Sequence, residues 1–320
     1  MKLVTIRCVS EGVAGALLKS GEILNLSLAA TQGSLEAWIP SSVRGILQAG
    51  PKGLELINQM IDRIESSSAH SRSTLKAMGV LLPANAALMS PIPHPRLLIA
   101  AGLAFHQHLK EMSGTPVPKQ PTAFIKSAGS ITGHECAVPI QPNAADCVDY
   151  EGELAVVFGA RCHRVTPDEA YACIGGYTCA NDISARDWIP GVVGAKEVWE
   201  ARQTWEVNIM GKQMPGFTPL GPCLVTKDEF KDITKLRLQT RLNGKTMQSV
   251  EMSDLIFPLG ETISHLSQWY AFEPGDVLLT GTPAGVGVGH KPPVFMHPGD
   301  VVEVEIDGIG VLRNTMITAI

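Results

Sequence analysis

The chain has 320 residues, of which 45% are hydrophobic and 18% are charged, and its formal net charge is -5. This composition supplies enough apolar surface to exclude a globally disordered chain, and the lack of a basic run excludes nucleic acid as an expected partner. The longest apolar stretch, residues 97–105, is too short for a bilayer, because a membrane span takes about 20 residues. No secretory signal pattern opens the sequence, so we predict a cytoplasmic protein without a transmembrane span.

The first 90 residues are predicted to form a small α+β domain. Residues 53–65 favour a helix, because their apolar side chains recur at a spacing that places them on one helical face. Prolines at positions 83, 91, 93 and 95 then interrupt the chain, since each proline removes an N–H donor and restricts the residue before it. We therefore predict an N-terminal domain over residues 1–90 and a second domain over residues 91–320.

The second domain is predicted to be rich in β-structure. Residues 235–242 alternate leucine with polar residues and lead into Asn243-Gly244, which predicts a β-hairpin with a type I′ turn. Similar alternation over residues 302–306 predicts a half-buried antiparallel strand. Helices are fewer: one is predicted from Thr166 onwards by its N-cap, proline and capping-box glutamate, and a longer one over residues 254–270.

Three carboxylates stand out for their position relative to predicted strands. Glu151 and Glu153 are two residues apart beside a buried strand, so they point to the same face. Asp182 follows a second predicted strand and precedes a turn rich in Asn, Ser and Arg. Burying like charges side by side is costly unless a cation lies between them. The sequence thus leaves two alternatives, a cation site or a solvent-exposed strand end.

A glycine-rich loop follows a predicted strand that ends at Leu279. Residues 280–287 read TGTPAGVG, a composition that lets backbone groups and Thr282 approach an anionic ligand closely. The loop matches neither a Walker motif nor a dinucleotide-binding fingerprint. Alone, it predicts only a turn.

Several strings between residues 95 and 314 resemble, in order and spacing, those of the fumarylacetoacetate hydrolase superfamily. They are DYEGELAVVFG, GYTCANDISARD, PLGP, EPGDVLLTGTPAGVG and HPGDVVEVEIDGIGVLRN. The resemblance implies an α+β, β-rich fold whose catalytic domain is a mixed β-sandwich roll. It also implies a divalent cation, Mg²⁺ or Mn²⁺ and in some members Ca²⁺, held by Glu151, Glu153 and Asp182. An all-oxygen ligand set agrees with such a hard cation.

The same resemblance implies a catalytic pair, His108 and Glu111, that orients and deprotonates a water molecule. The two residues are three positions apart, so one helical turn would place them on the same side. His106 is a second imidazole nearby, and the sequence leaves open which of the two histidines is the base.

Positively charged and hydroxyl side chains complete the expected site. Lys212 resembles the family's active-site lysine, although the residues after it differ from the family pattern and residues 189–209 before it are unusual. Lys126, Arg186 and Thr282 are further candidates for substrate binding.

The function implied by the resemblance is a metal-dependent hydrolase that cleaves a carbon–carbon bond in a 1,3-diketo or acylpyruvate-type acid, a reaction of aromatic catabolism. The alternative is lyase or isomerase chemistry on the same fold. This alternative covers decarboxylation of an oxaloacetate-type acid, dehydration of a sugar acid and isomerisation of 2-hydroxyhepta-2,4-diene-1,7-dioate. A non-catalytic paralogue is disfavoured, because all three carboxylates are present. The expected partners are a small oxo or diketo acid and a second copy of the chain in a homodimer.

Overall fold

The computed structural model describes residues 1–8, 11–31, 39–112, 115–142 and 146–319. Within these ranges the fold is a mixed α+β structure rich in sheet, as predicted. No helix in the described part of the chain has the length and apolar character to cross a membrane.

The β-strands are β1 (Lys2–Ile6), β2 (Val13–Leu17), β3 (Ile23–Asn25), β4 (Leu81–Leu82), β5 (Leu88–Met89), β6 (Leu98–Gly102), β7 (Thr122–Ile125), β8 (Ile131–Thr132), β9 (Ala137–Ile140), β10 (Val148–Asp149), β11 (Gly152–Phe158), β12 (Ile174–Asn181), β13 (Ser184–Ala185), β14 (Thr218–Thr226), β15 (Arg237–Leu242), β16 (Lys245–Glu251), β17 (Val277–Leu279), β18 (Val301–Ile306) and β19 (Gly310–Thr318). The α-helices are α1 (Leu26–Thr31), α2 (Val43–Gln48), α3 (Gly50–Glu65), α4 (Ala69–Ala77), α5 (His106–Glu111), α6 (Pro167–Cys173), α7 (Ile189–Gly194), α8 (Val198–Met210) and α9 (Leu259–Leu266).

One large sheet spans both predicted domains. Its strand order is β4-β3-β2-β1-β14-β12-β11-β17-β6-β7, with β5 paired to β1 and β8 paired to β14. The connection between the two parts is the antiparallel pair of β1 and β14, in which Lys2 lies opposite Val225. The N-terminal strands therefore continue the sheet that carries β11 and β12, and the domain boundary at residue 90 stays a prediction.

A second sheet of five strands, in the order β16-β15-β18-β19-β9, packs against the large one. The alternating side chains of β11 divide between two cores because successive residues of a strand point to opposite faces. Leu154 and Val156 join the cluster that contains Leu238 and Val304 of the second sheet. Ala155 instead joins the cluster that includes the N-terminal helices. Strand β11 is thus buried on both faces.

The local predictions hold to different degrees. The β15–β16 hairpin is confirmed, with Asn243 and Gly244 both at positive φ as a type I′ turn requires. The strand over residues 302–306 is confirmed within β18. The helix starting after Thr166 forms with its capping box, but it ends at Cys173 because β12 begins at the next residue.

The prediction of a long helix over residues 254–270 is wrong in its length. Only Leu259–Leu266 is α-helical, and Pro258 immediately precedes it. Proline disfavours helical backbone in the residue before it, so a helix that begins at residue 254 cannot pass through this position undisturbed. Residues Met252–Asp254 form a separate 3-10 turn.

Gly152 lies between Glu151 and Glu153 and packs closely against the second sheet. A Cβ atom at this position would lie 2.0 Å from Thr240 Oγ1 and 3.3 Å from Val304 Cγ1. Since Gly152 faces the second sheet, its neighbours Glu151 and Glu153 must face the other way. A glycine between two glutamates is therefore a packing requirement that aims both carboxylates at one spot.

We expect Gly152→Ala to destabilise the protein by about 1–3 kcal/mol, the usual cost of overpacking a core. Thr240 Oγ1 has no hydrogen-bond partner, so its removal costs no hydrogen bond. The double variant Gly152→Ala/Thr240→Ala should therefore recover part of the lost stability, measured as the free energy of unfolding in urea. If the loss of unfolding free energy in the double variant equals the sum of the losses in the two single variants, the proposed clash is refuted.

Candidate metal centre and active site

The antiparallel pairing of β11 and β12 brings the three predicted carboxylates together. Strand β11 begins where β12 ends, with Gly152 opposite Asn181. Glu151 and Glu153 therefore lie next to Asp182, and one carboxylate oxygen from each residue lies within 4.8 Å of the others. All three side chains are buried. The alternative of a solvent-exposed strand end is thus excluded.

Lys212 lies against two of these carboxylates. Its Nζ donates hydrogen bonds to Glu151 Oε2 at 2.5 Å, to Asp182 Oδ2 at 2.8 Å and to Ser184 Oγ at 2.6 Å. An ammonium has three protons, so this buried lysine uses all of its donors on the protein itself. Its charge partly offsets the cost of burying the carboxylates.

Two more cationic side chains, Lys126 and Arg186, pair with carboxylates of this cluster. Lys126 pairs with Asp182 and donates to the backbone carbonyl of Lys212 at 2.7 Å. Arg186 pairs with Glu151 and donates from Nε to Asp149 Oδ2 at 3.0 Å. These contacts make Lys126 and Arg186 supports of the carboxylates.

Burial and charge act differently on the individual groups. Burial raises the pKa of Glu151, but Lys212 and Arg186 outweigh it and hold that pKa at about 2. Burial together with the negative charges of Asp182 and Glu151 raises the pKa of Glu153 well above its usual range. Burial also lowers the pKa of Lys126, although Asp182 opposes the shift.

Glu153 is the carboxylate that lacks a cation. It forms no ion pair with any described residue, and its Oε2 accepts one hydrogen bond, from the backbone N–H of Gly281 at 2.6 Å. A buried charge without a counter-ion is unfavourable.

A divalent cation fits this arrangement. Carboxylate oxygens are the ligand atoms that Mg²⁺ and Mn²⁺ prefer. The ion would also supply the positive counter-charge that Glu153 lacks. Oxygens bound to one ion at about 2.1 Å lie at most about 4.2 Å apart. The separations in the cluster, all within 4.8 Å, are close to this limit.

The glycine-rich loop binds carboxylates of the protein itself. Besides Gly281 on Glu153, Gly285 N–H donates to Glu111 Oε1 at 2.9 Å, and Gly287 N–H donates to Asp149 Oδ1 at 2.6 Å. The expectation of backbone donors beside an anion is thus met in an unexpected way. The anions are side chains of the site.

A cavity of about 260 Å³ opens beside the carboxylates. Its walls include the predicted residues His108, Arg186, Lys212 and Thr282 together with the three carboxylates. Lys126 and Glu111 do not line it. The apolar part of the wall comes from Met112, Phe124, Trp188 and Ile209.

The structure distinguishes the two histidines of α5. His108 is buried and lines the cavity, and its Nδ1 lies 3.1 Å from Glu111 Oε2. A proton on Nδ1 donated to this carboxylate leaves Nε2 as the ring nitrogen that can accept a proton. His106 is exposed and lies outside the cavity wall. The geometry thus favours His108 over His106.

Thr282 is tied into the structure by Gln248, a residue that the sequence does not single out. Gln248 Nε2 donates to Thr282 Oγ1 at 2.8 Å, and Thr282 Oγ1 donates to the carbonyl of Gly152 at 3.1 Å. Gln248 Oε1 also accepts from the N–H of Gly152 at 3.0 Å. One buried amide on β16 therefore connects the glycine-rich loop to the start of β11.

Comparison with known proteins agrees with this geometry. The family described as fumarylacetoacetate (FAA) hydrolase C-terminal matches residues 98–317. The mitochondrial oxaloacetate tautomerase FAHD2B of Homo sapiens is 37% identical over 262 residues, covering 82% of this chain and 79% of the relative. Oxaloacetate tautomerase YisK of Bacillus subtilis (strain 168) is 32% identical over 316 residues, covering 98% and 99%.

A solved structure extends the likeness to the whole fold. Fumarylacetoacetate hydrolase from psychrophilic Exiguobacterium antarcticum superposes with a TM-score of 0.75 at 29% identity and 100% coverage of both chains. The family is thus a family of enzymes whose named members include tautomerases and hydrolases. The predicted resemblance is confirmed, and the chain belongs to the fumarylacetoacetate hydrolase family.

Proposed function

We propose that the protein is a divalent-metal-dependent tautomerase that interconverts the enol and oxo forms of a small 2-oxo dicarboxylic acid of the oxaloacetate type. The observation that carries the proposal is a cavity of about 260 Å³ that joins a buried imidazole to three carboxylates. This volume lies below the roughly 300–1,000 Å³ usual for ligand pockets, which favours a small acid over a long diketo acid. The oxaloacetate tautomerases among the relatives support the same reaction. This choice takes up the isomerase alternative of the sequence.

The proposed metal ligands are Glu151, Glu153 and Asp182, with Mg²⁺ or Mn²⁺ as the ion. When bound, the cation supplies Lewis-acid stabilisation of negative charge on the substrate's 2-oxo oxygen. Lys212 holds two of the ligands in place and adds positive charge beside the developing anion. Lys126 acts through the carboxylate that it holds, whereas Arg186 also lines the cavity and can contact the substrate there.

His108 is the proposed proton carrier. Conversion of the enol to the oxo form adds a proton at C3 and releases one from the 2-hydroxyl to water. Protonated His108 delivers the proton to C3, and the neutral ring removes it in the reverse direction. Glu111 orients the ring, and Gly285 N–H holds Glu111 in place at 2.9 Å.

Hydrolysis of a carbon–carbon bond remains the second candidate. The pair of His108 and Glu111 supports it, because a base at the cavity wall also suits activation of a water molecule. If the protein is such a hydrolase, we also propose a role in aromatic catabolism. A homodimer and a cytoplasmic location likewise stay proposals.

The reactions are separated by the products formed from two substrates. With Mg²⁺ or Mn²⁺ present, the protein should accelerate the loss of enol-oxaloacetate ultraviolet absorbance above the spontaneous rate, without forming pyruvate. Pyruvate from oxaloacetate would indicate a decarboxylase. Cleavage of an acylpyruvate in place of enol conversion would indicate the hydrolase.

Glu153→Gln should separate the burial cost of the carboxylate from metal binding. The glutamine oxygen can still accept from Gly281, and the uncompensated charge is gone, so the melting temperature of the metal-free protein should not fall. The affinity for Mn²⁺ should fall by at least the roughly 10- to 100-fold that loss of an outer-shell partner costs. Calorimetric titration and thermal unfolding with and without Mn²⁺ measure both effects.

The matched control for this substitution is Glu251→Gln, because Glu251 is exposed and lies far along β16 from the carboxylates. It should change neither quantity. If Mn²⁺ stabilises Glu153→Gln as strongly as the wild type, the proposed ligand set is wrong.

His108→Ala should lower turnover by about two to four orders of magnitude, the range for a positioned acid–base group, while the affinity for Mn²⁺ stays nearly constant. His106→Ala is the control, since that ring is exposed on the same helix. Steady-state kinetics of enol conversion measure both variants. Inactivation by His106→Ala with an active His108→Ala would reverse the assignment.

A further inference from the structure

Helices α7 and α8 form the unusual segment that precedes Lys212. The segment ends against the metal centre, because Lys212 N–H donates to the carbonyl of Ile209 at 3.2 Å and Ala185 N–H donates to the carbonyl of Gly211 at 2.9 Å. Asn208 and Ile209, from the last turn of α8, line the cavity. This segment therefore contributes directly to the wall that a substrate contacts.

Asn208 is the one polar residue that α8 contributes to the cavity wall, and its amide has no hydrogen-bond partner in the described part of the chain. Its side chain forms no hydrogen bond with any described residue, and its Oδ1 is buried. Rotation about the Cβ–Cγ bond exchanges the amide oxygen and nitrogen, so either end can face the cavity. A buried polar atom without a partner is costly, and a ligand that pairs with the end of the amide at this position removes the cost.

Several other polar side chains of the cavity are engaged with the protein itself, and Arg186 is held by Asp149 and Glu151. Lys212 uses its three protons on Glu151, Asp182 and Ser184. The hydroxyl of Thr282 donates to the carbonyl of Gly152. His108 is paired with Glu111. Asn208 is thus a donor in the cavity wall that remains available to a bound acid.

We propose that Asn208 is a specificity-determining residue whose amide N–H donates to the distal carboxylate of the substrate, the carboxylate remote from the metal centre. The inference rests on the proposed function, because it takes from it the substrate class, a 2-oxo dicarboxylic acid. The neighbouring side chains Phe124, Trp188 and Ile209 are largely apolar, so the amide selects for a polar group at this end of the substrate. A site built to hydrogen-bond a substrate group discriminates strongly against analogues that lack it.

The test compares two acids that differ only in the distal carboxylate. Oxaloacetate has it, and pyruvate keeps the 1-carboxylate and the 2-oxo group without it. Asn208→Leu removes the amide at similar volume, and Gln203→Leu makes the same kind of change at an exposed position of α8. Dissociation constants of both acids are measured by calorimetry on the Mg²⁺-loaded protein, together with kcat and KM for enol conversion.

Asn208→Leu should weaken oxaloacetate binding by about 10- to 100-fold, the range for loss of a hydrogen bond to a charged group. Pyruvate binding should change by less than about twofold, and Gln203→Leu should alter neither acid. The increase in KM should exceed any change in kcat. An equal loss for both acids, or no loss for oxaloacetate, overturns the inference.

The two proposals fail separately. If the wild type does not accelerate enol conversion but Asn208→Leu weakens the binding of oxaloacetate and not that of pyruvate, the proposed function is wrong and the role of Asn208 stands. If enol conversion is fast and oxaloacetate binds Asn208→Leu as tightly as the wild type, the role of Asn208 is wrong and the function stands.

Discussion

The structure depends on the cost of burying several like charges at the adjoining ends of two strands. Strands β11 and β12 bring Glu151, Glu153 and Asp182 within 4.8 Å of one another in the protein interior. The surrounding elements offset this repulsion in different ways. Lysine and arginine side chains neutralise Glu151 and Asp182, the glycine-rich loop donates backbone N–H groups, and Glu153 has no cation among the described residues.

The same constraint explains why the glycine-rich loop is glycine-rich. Its N–H groups reach three separate carboxylates, and a side chain would block this approach. Gly285 has φ +100°, and a Cβ there would lie 2.1 Å from the carbonyl oxygen of Met247. The loop therefore connects the carboxylate cluster with the His108–Glu111 pair, because Gly281 binds Glu153 and Gly285 binds Glu111.

Features encoded locally were predictable from the sequence. The Asn243-Gly244 turn needs two adjacent residues at positive φ. The capping box of α6 lies within four residues. Both features can therefore be recognised from residues that are neighbours in the sequence. The three carboxylates were predictable because their strings resemble those of a known family. The contact between His108 and Glu111 follows from helical spacing.

Features that depend on distant parts of the chain were not predictable. The contact of Lys126 with Asp182, 56 positions away in the sequence, has no local signal, and substrate binding by Lys126 stays a prediction. Gln248 and Asn208 carry no local signal, since an isolated amide in a strand or helix is usually a surface residue. Only the packing of β16 and α8 against the site reveals what these amides face.

The pairing of β1 with β14 has a consequence for how the chain is made. Val225, the partner of Lys2, lies 223 positions later in the sequence (225 − 2), so the ribosome makes β1 long before this pair can form. Until then the edge of β1 is open at Lys2 and Leu3, because β5 covers only Thr5 and Ile6. An open strand edge is a template for contacts with other chains. Production of this protein should therefore be sensitive to chaperone supply and growth temperature. A version shortened from the N-terminus would transfer the same hazard to β14, at the centre of the finished sheet.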